Sequence, residues 1–222
     1  MLNADRNCVE APKMGKNYRT ETILDALDMI FLKKCYLCEV DQIIEGVFEV
    51  DHFKPKAIYP ELEYEWNNLY LCCETCNLSK ADTDNLLDPC KDDVENMIFY
   101  THDYEEGQRQ YIPHFFVSNI DDENNTQLDN TINLLEKIHN NKKGKLSIRA
   151  SLLRLTISTR RALMMDAYAE YRTALDTDDN VKRQQAINKL KSAVSKHSPF
   201  TMLMRYTAKK YHFDKQITDL FD

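Results

Sequence analysis

Cys35-Tyr36-Leu37-Cys38 and Cys73-Glu74-Thr75-Cys76 are two Cys-x-x-Cys turns, set on either side of the dipeptide Asp51-His52. One such turn brings two thiolates close enough to share a metal ion. Two of them supply the four soft ligands of a tetrahedral structural Zn2+ site. Any fold of this chain must satisfy that clip, which joins two distant segments around whatever lies between them. The interval is longer than in a simple zinc ribbon, so an insert carrying Asp51 and His52 is what the clip holds. Cys72 directly precedes Cys73. Neighbouring side chains of an extended segment face opposite ways, and the two-residue gap to Cys76 favours Cys73 as the ligand. Cys72 then reads as a small buried apolar residue.

The polar residues around the clip have no structural duty of their own. Asp51 offers a hard carboxylate oxygen, and Asn77, one residue after the second turn, offers an amide carbonyl. A hard cation such as Mg2+ takes few protein ligands and leaves its other positions to water or substrate phosphate. A histidine beside such an ion can take a proton from water, which is the role for His52. Together they describe metal-assisted hydrolysis of a phosphodiester. Lys56 and Lys80 are candidate phosphate contacts. Lys80 lies one helical turn beyond Asn77 and shares its face. Trp66 is expected to anchor its loop by packing.

The run Asp51-His52-x-x-Pro55, then Asn68-Leu69, then Cys73-x-x-Cys76-Asn77-x-x-Lys80 resembles an HNH endonuclease of the ββα-metal fold. The resemblance covers about residues 35–80. It implies that His52 is the general base and that Asp51 and Asn77 ligate a catalytic Mg2+ or Mn2+. It implies that Asn68 is a structural, His-orienting residue, with Asn67 the adjacent alternative, so this is a His-Asn-Asn version of the motif. Pro55-Lys56, Tyr59-Pro60-Glu61-Leu62, Trp66-Asn67-Asn68-Leu69 and Leu87-Asp88-Pro89, in that order, are similar to the PtuB-like HNH nuclease subunit of Septu-type anti-phage systems. That likeness implies a partner, an ABC-type ATPase (PtuA-like), and a nucleic-acid substrate, DNA before tRNA. Two other readings compete. One is a zinc-stabilised binding module without catalysis; the other is a free-standing HNH enzyme of restriction or homing type.

Composition narrows the class. The 222 residues suit one domain with appendages or two small ones. No apolar run approaches the ~18 residues of a membrane span, and the first residues lack the apolar stretch of a signal peptide. Seven cysteines, four of them in the two turns, suggest metal binding in a reducing cytoplasm rather than disulfides. Cys8 and Cys90 carry no assignment. Residues 1–139 hold 12 Lys and Arg against 28 Asp and Glu, a net −16, while residues 140–222 hold 17 against 8, a net +9. The basic C-terminal part could cradle nucleic acid or contact an acidic partner. The chain has no P-loop and no Gly-rich nucleotide fingerprint, so it is not itself an ATPase.

The expected fold class is α+β, a zinc-stapled ββα-metal core with a mostly α-helical C-terminal region. Residues 1–34 form an N-terminal segment and a helix capped by Thr20, and residues 35–90 the nuclease core. Residues 91–125 form a β-hairpin and linker, turning near Glu105-Glu106-Gly107, with an acidic loop over 118–126. Residues 126–222 are helical. Within the core, Gln42 to Val50 reads as a hairpin turning at Glu45-Gly46, whose second strand projects Asp51 and His52. The long helix over about 145–175 should bury Leu146, Leu153, Ile157, Met164, Ala167, Tyr171 and Leu175. His102 and His114 are given no role.

Overall fold

The computed structural model describes residues 1–46, 48–106, 110–117, 125–142 and 144–221. Thr20 opens the first helix, α1 (Glu21–Ile30), by accepting the Ile23 N–H on Oγ1 at 3.4 Å. Ile23, Ala26, Leu27 and Ile30 are its buried stripe. The chain then makes the first cysteine turn and one short helix, α2 (Gln42–Glu45). Strands β1 (Phe48–His52) and β2 (Leu69–Cys73) pair antiparallel, with Phe48 opposite Cys73 and His52 opposite Leu69. Helix α3 (Glu74–Lys80) follows β2 without a break. These three elements are the expected ββα unit.

The hairpin expected over residues 42–50 is a correction. Asp41 caps α2, its Oδ1 accepting the Ile44 N–H at 3.0 Å, and Gly46 ends the turn at φ +79°. Residues 42–45 are therefore helical, and β1 takes its partner from residues 69–73. The cysteine cluster explains the choice: Cys73 ends β2 beside Cys38, so the clip presents β2 to β1. Val47 lies outside the described residues.

After a short helix, α4 (Val94–Met97), strands β3 (Ile98–Glu105) and β4 (Gln110–Val117) form a second antiparallel pair. Gly107 of the expected turn, and residues 118–124 of the expected acidic loop, lie outside the described residues. Helices α5 (Thr126–Asn140), α6 (Gly144–Asp176), α7 (Asn180–Val194), α8 (Thr201–Lys210) and α9 (Phe213–Gln216) complete the chain. Helix α6 buries Leu153, Ile157, Met164, Ala167 and Tyr171 as its periodicity predicts. Leu175 is exposed and Ala174 takes the buried place.

The C-terminal helices share the core of the cysteine-bearing part. Lys34 Nζ donates to the Ser198 carbonyl at 3.0 Å, and Glu39 accepts the backbone N–H of Phe200 on its carbonyl and of Met202 on Oε2 at 3.1 Å. Lys137 of α5 reaches the Ser79 carbonyl at 2.5 Å and braces the end of α3. Part of the positive charge of residues 140–222 is paired within the chain: Lys189 with Glu170, Arg205 with Glu95 and Lys210 with Asp103.

Two histidines of this shared core make it acid-sensitive. His102 on β3 stacks on Tyr111, and His139 on α5 packs against Phe115. Burial pushes both down to about 4. The unfolded chain takes up protons near the usual ~6.5 while the folded chain resists them. Stability should therefore fall as pH drops from about 6.5 to about 4, by at most ~3 kcal/mol per histidine. Thermal melts across that window check this. His139→Leu should flatten the slope, and a slope equal to the parent's would show that His139 does not carry it.

Candidate nuclease site and zinc cluster

The sulfurs of Cys35, Cys38, Cys73 and Cys76 converge within 4.8 Å of one another, and all four residues are buried. Zn–S bonds of ~2.3 Å in a tetrahedron put sulfurs about 3.8 Å apart, and the Cys38 and Cys73 sulfurs are 3.9 Å apart. The four residues therefore fit zinc. Cys72 is buried with its sulfur 3.8 Å from that of Cys35, outside the convergent group. Burial opposes ionisation of Cys35, yet the thiols around it hydrogen-bond to its sulfur and hold it well below the usual thiol range. Burial pushes Cys38 and Cys76 up. A bound dication would supply the charge that ionises such buried thiols.

The end of β1 lies beside this cluster. Tyr36, between the first two cysteines, donates its hydroxyl to Asp51 Oδ2 at 2.8 Å. Burial and the Asp51 charge push the Tyr36 phenol well above its ordinary range, so it stays a donor. Asp51 is 6% exposed. Burial raises its carboxyl, against the pull of Lys80 and Tyr36.

His52 points its Nε2 at the carbonyl oxygen of Glu63, 2.9 Å away. A carbonyl only accepts, so Nε2 carries a proton, and in the neutral ring Nδ1 keeps the lone pair. Asn68 braces the loop that supplies this carbonyl. Its Oδ1 accepts the Lys54 N–H at 2.7 Å, and its Nδ2 donates to the carbonyls of Lys54 at 3.0 Å and Leu62 at 3.2 Å. Asn68 is buried and Asn67 exposed, so Asn68 is the one built into the loop. Asn77, on α3, donates Nδ2 to Glu49 Oε2 at 2.7 Å, which leaves its Oδ1 to face other partners. Asp51, His52 and Asn77 line one open depression of about 200 Å³ with Tyr18, Arg19 and Lys56.

Lys80 departs from its expected place. It is 1% exposed, with Nζ 3.2 Å from Asp51 Oδ2 and 2.7 Å from the His52 carbonyl. The side chain runs inward from the end of α3, so the ammonium serves the Asp51-His52 backbone and not the solvent side where a phosphate would sit. Lys56 is exposed, 3.7 Å from Glu63 and 3.4 Å from the Tyr18 hydroxyl. Lys80→Met would leave Asp51 buried without its cation, and should lower the unfolding free energy by about 3–5 kcal/mol. Denaturant unfolding measures this; an unchanged midpoint would refute the buried pair and return Lys80 to a surface role.

His102 and His114 lie on the second strand pair and do not line the depression. Sequence reasoning missed Tyr36, Glu49, Tyr18 and Arg19. Tyr36 was open to discovery, because a residue inside a metal-binding turn points where the turn points. Nothing in the spacing of Tyr18 or Arg19 marks them.

Comparison with known proteins gives the same region. The family profile described as HNH endonuclease matches residues 35–83. The Septu protein PtuB of Bacillus thuringiensis is 40% identical over 76 residues, 34% of this chain and 28% of that protein. The Septu protein PtuB of Bacillus mycoides (strain KBAB4) is 26% identical, over 42% of this chain and 44% of that protein. The chain thus spans less than half the length of these curated relatives. No solved structure is significantly similar to it. Among the described residues no helix is long and apolar enough to cross a membrane.

Proposed function

We propose, for a chain whose residues 35–83 are an HNH endonuclease domain, that it hydrolyses phosphodiester bonds of nucleic acid with a divalent cation. The observation that carries this is His52. Its Nε2–H is committed to the Glu63 carbonyl, and it shares one depression with Asp51 and Asn77. His52 Nδ1 takes the proton of the attacking water. The Glu63 carbonyl accepts from the opposite side of the ring and steadies the imidazolium that forms. Asn68 keeps that carbonyl in place through Leu62 and Lys54. Asp51 and the Asn77 amide oxygen are the hard donors that would hold Mg2+ or Mn2+. Such a cation supplies Lewis-acid stabilisation of the charge on phosphate and leaving oxygen.

The similarity to Septu PtuB proteins supports a further step, that the chain is the effector subunit of an anti-phage complex with an ABC-type ATPase. DNA is the favoured substrate and tRNA the competing one. The test is a cleavage panel of plasmid DNA, linear DNA and tRNA with Mg2+ or Mn2+, with and without a candidate ATPase. Cleavage of none of them, with zinc bound and the chain folded, would leave a zinc-stabilised binding module. Gel filtration with the ATPase decides between a subunit and a free-standing enzyme.

A further inference from the structure

One wall of the depression at His52 comes from outside the cysteine-clipped stretch. Tyr18 and Arg19, just ahead of the α1 cap, line it together with Lys56 and Asn77. The Tyr18 ring meets the His52 imidazole edge to face, with centroids 4.7 Å apart and planes at 81°. Its hydroxyl accepts from Lys56 Nζ at 3.4 Å, and the Arg19 guanidinium lies 5.7 Å from its ring centroid. One aromatic side chain therefore touches the base and gathers two cations around it. The placement is firm: Thr20 caps α1, α1 packs on β2, and the Arg19 N–H donates to Asn17 Oδ1 at 2.9 Å.

The depression needs a cation for a phosphate. Lys80 is consumed by Asp51 and the His52 carbonyl, and Lys56 lies 3.7 Å from Glu63. Asp51 and Asp82 line the same space, so an unassisted anion would meet carboxylates. Arg19 is exposed, and among the described residues no carboxylate forms an ion pair with it. A guanidinium offers a planar fork matched to two phosphate oxygens.

We infer that Arg19 binds a backbone phosphate of the nucleic acid at this site, and that Tyr18 is a positioning residue that holds Arg19, Lys56 and the His52 ring in one arrangement. This rests on the reading of Asp51 and His52 as the nuclease site, and assigns the phosphate contact to the N-terminal segment. The phosphate is common to DNA and RNA, so the test carries both a short fluorescein-labelled DNA duplex and a tRNA.

The experiment uses the full chain with zinc bound. It compares Arg19→Ala, Arg19→Lys, Tyr18→Ala and Tyr18→Phe with the parent. Cleavage gives KM and kcat, and fluorescence anisotropy gives affinity across a salt series. Arg19→Ala should raise KM about tenfold, the effect of one charged hydrogen-bonded contact, and leave kcat within about twofold. It should also reduce the slope of log affinity against log salt by about 0.7–0.9, the share of one phosphate. Arg19→Lys should keep the slope and recover part of the affinity. Tyr18→Ala should lower kcat, and Tyr18→Phe should preserve it. Parental KM and salt slope in Arg19→Ala, in an enzyme that cleaves, overturn the inference. A parent that cleaves neither probe defeats the nuclease reading instead, and the anisotropy arm then decides Arg19 by itself, because affinity needs no turnover. A parent that binds neither probe overturns the inference as well.

Discussion

His52→Ala should abolish nearly all cleavage while the chain keeps its zinc and its fold. A positioned general base contributes about 10²–10⁴-fold, and His52 is the only imidazole among the described residues that line the depression. The cluster that fits zinc is made of four cysteines and does not include His52, so metal content should match the parent. The ring is 7% exposed and packs on Tyr18, so an alanine leaves a cavity that costs some stability but touches none of the four cysteines. Added Mn2+ should not restore the rate, because a base has been lost and not a ligand. Asp51→Ala or Asn77→Ala should respond to Mn2+ in part, since there a donor is missing. Equal cleavage by parent and His52→Ala, at matched metal and with any partner present, would place the chemistry elsewhere.

Cys73→Ser should lose zinc and with it the cooperative fold, whereas Cys72→Ser should keep both. Structural zinc binds with about 10–16 kcal/mol in small sites, and that energy is folding energy. A domain's net stability of ~5–15 kcal/mol cannot absorb such a loss. The damage should not stop at the ββα unit. Glu39, next to Cys38, holds the start of α8 through Phe200 and Met202, so a loosened first turn releases the C-terminal helices too. Metal analysis and near-ultraviolet circular dichroism of the two variants check the pair. Zinc retained in Cys73→Ser and lost in Cys72→Ser would exchange the two assignments.

The sequence was most legible where a spacing encodes a geometry. Two Cys-x-x-Cys turns can meet around one ion, and their four sulfurs do converge. The helical period of α6 marks that helix because its buried face repeats every turn. The partner of β1 was not legible. Val50 has strand propensity in any pairing, and only the cluster brings Cys73 next to Cys38 to offer β2. Lys80 was expected on the face of Asn77, but a spacing says nothing of which way a long side chain bends, and it bends to Asp51. Leu175 failed for a similar reason. At the last turn of α6, Ala174 fills the buried place and the larger neighbour is left outside. Arg19 and Tyr18 carry no motif at all; their proximity to His52 exists only once α1 is docked.

Tyr36 stands between two zinc-site cysteines and bonds to Asp51. In the proposed mechanism this bond is a physical link between the two metal centres. Whatever free energy the zinc-bound turn gives to the setting of Asp51, thermodynamic reciprocity returns to the zinc. An ion held by the four thiolates and a cation held at Asp51 must each tighten, or each loosen, the other by the same factor.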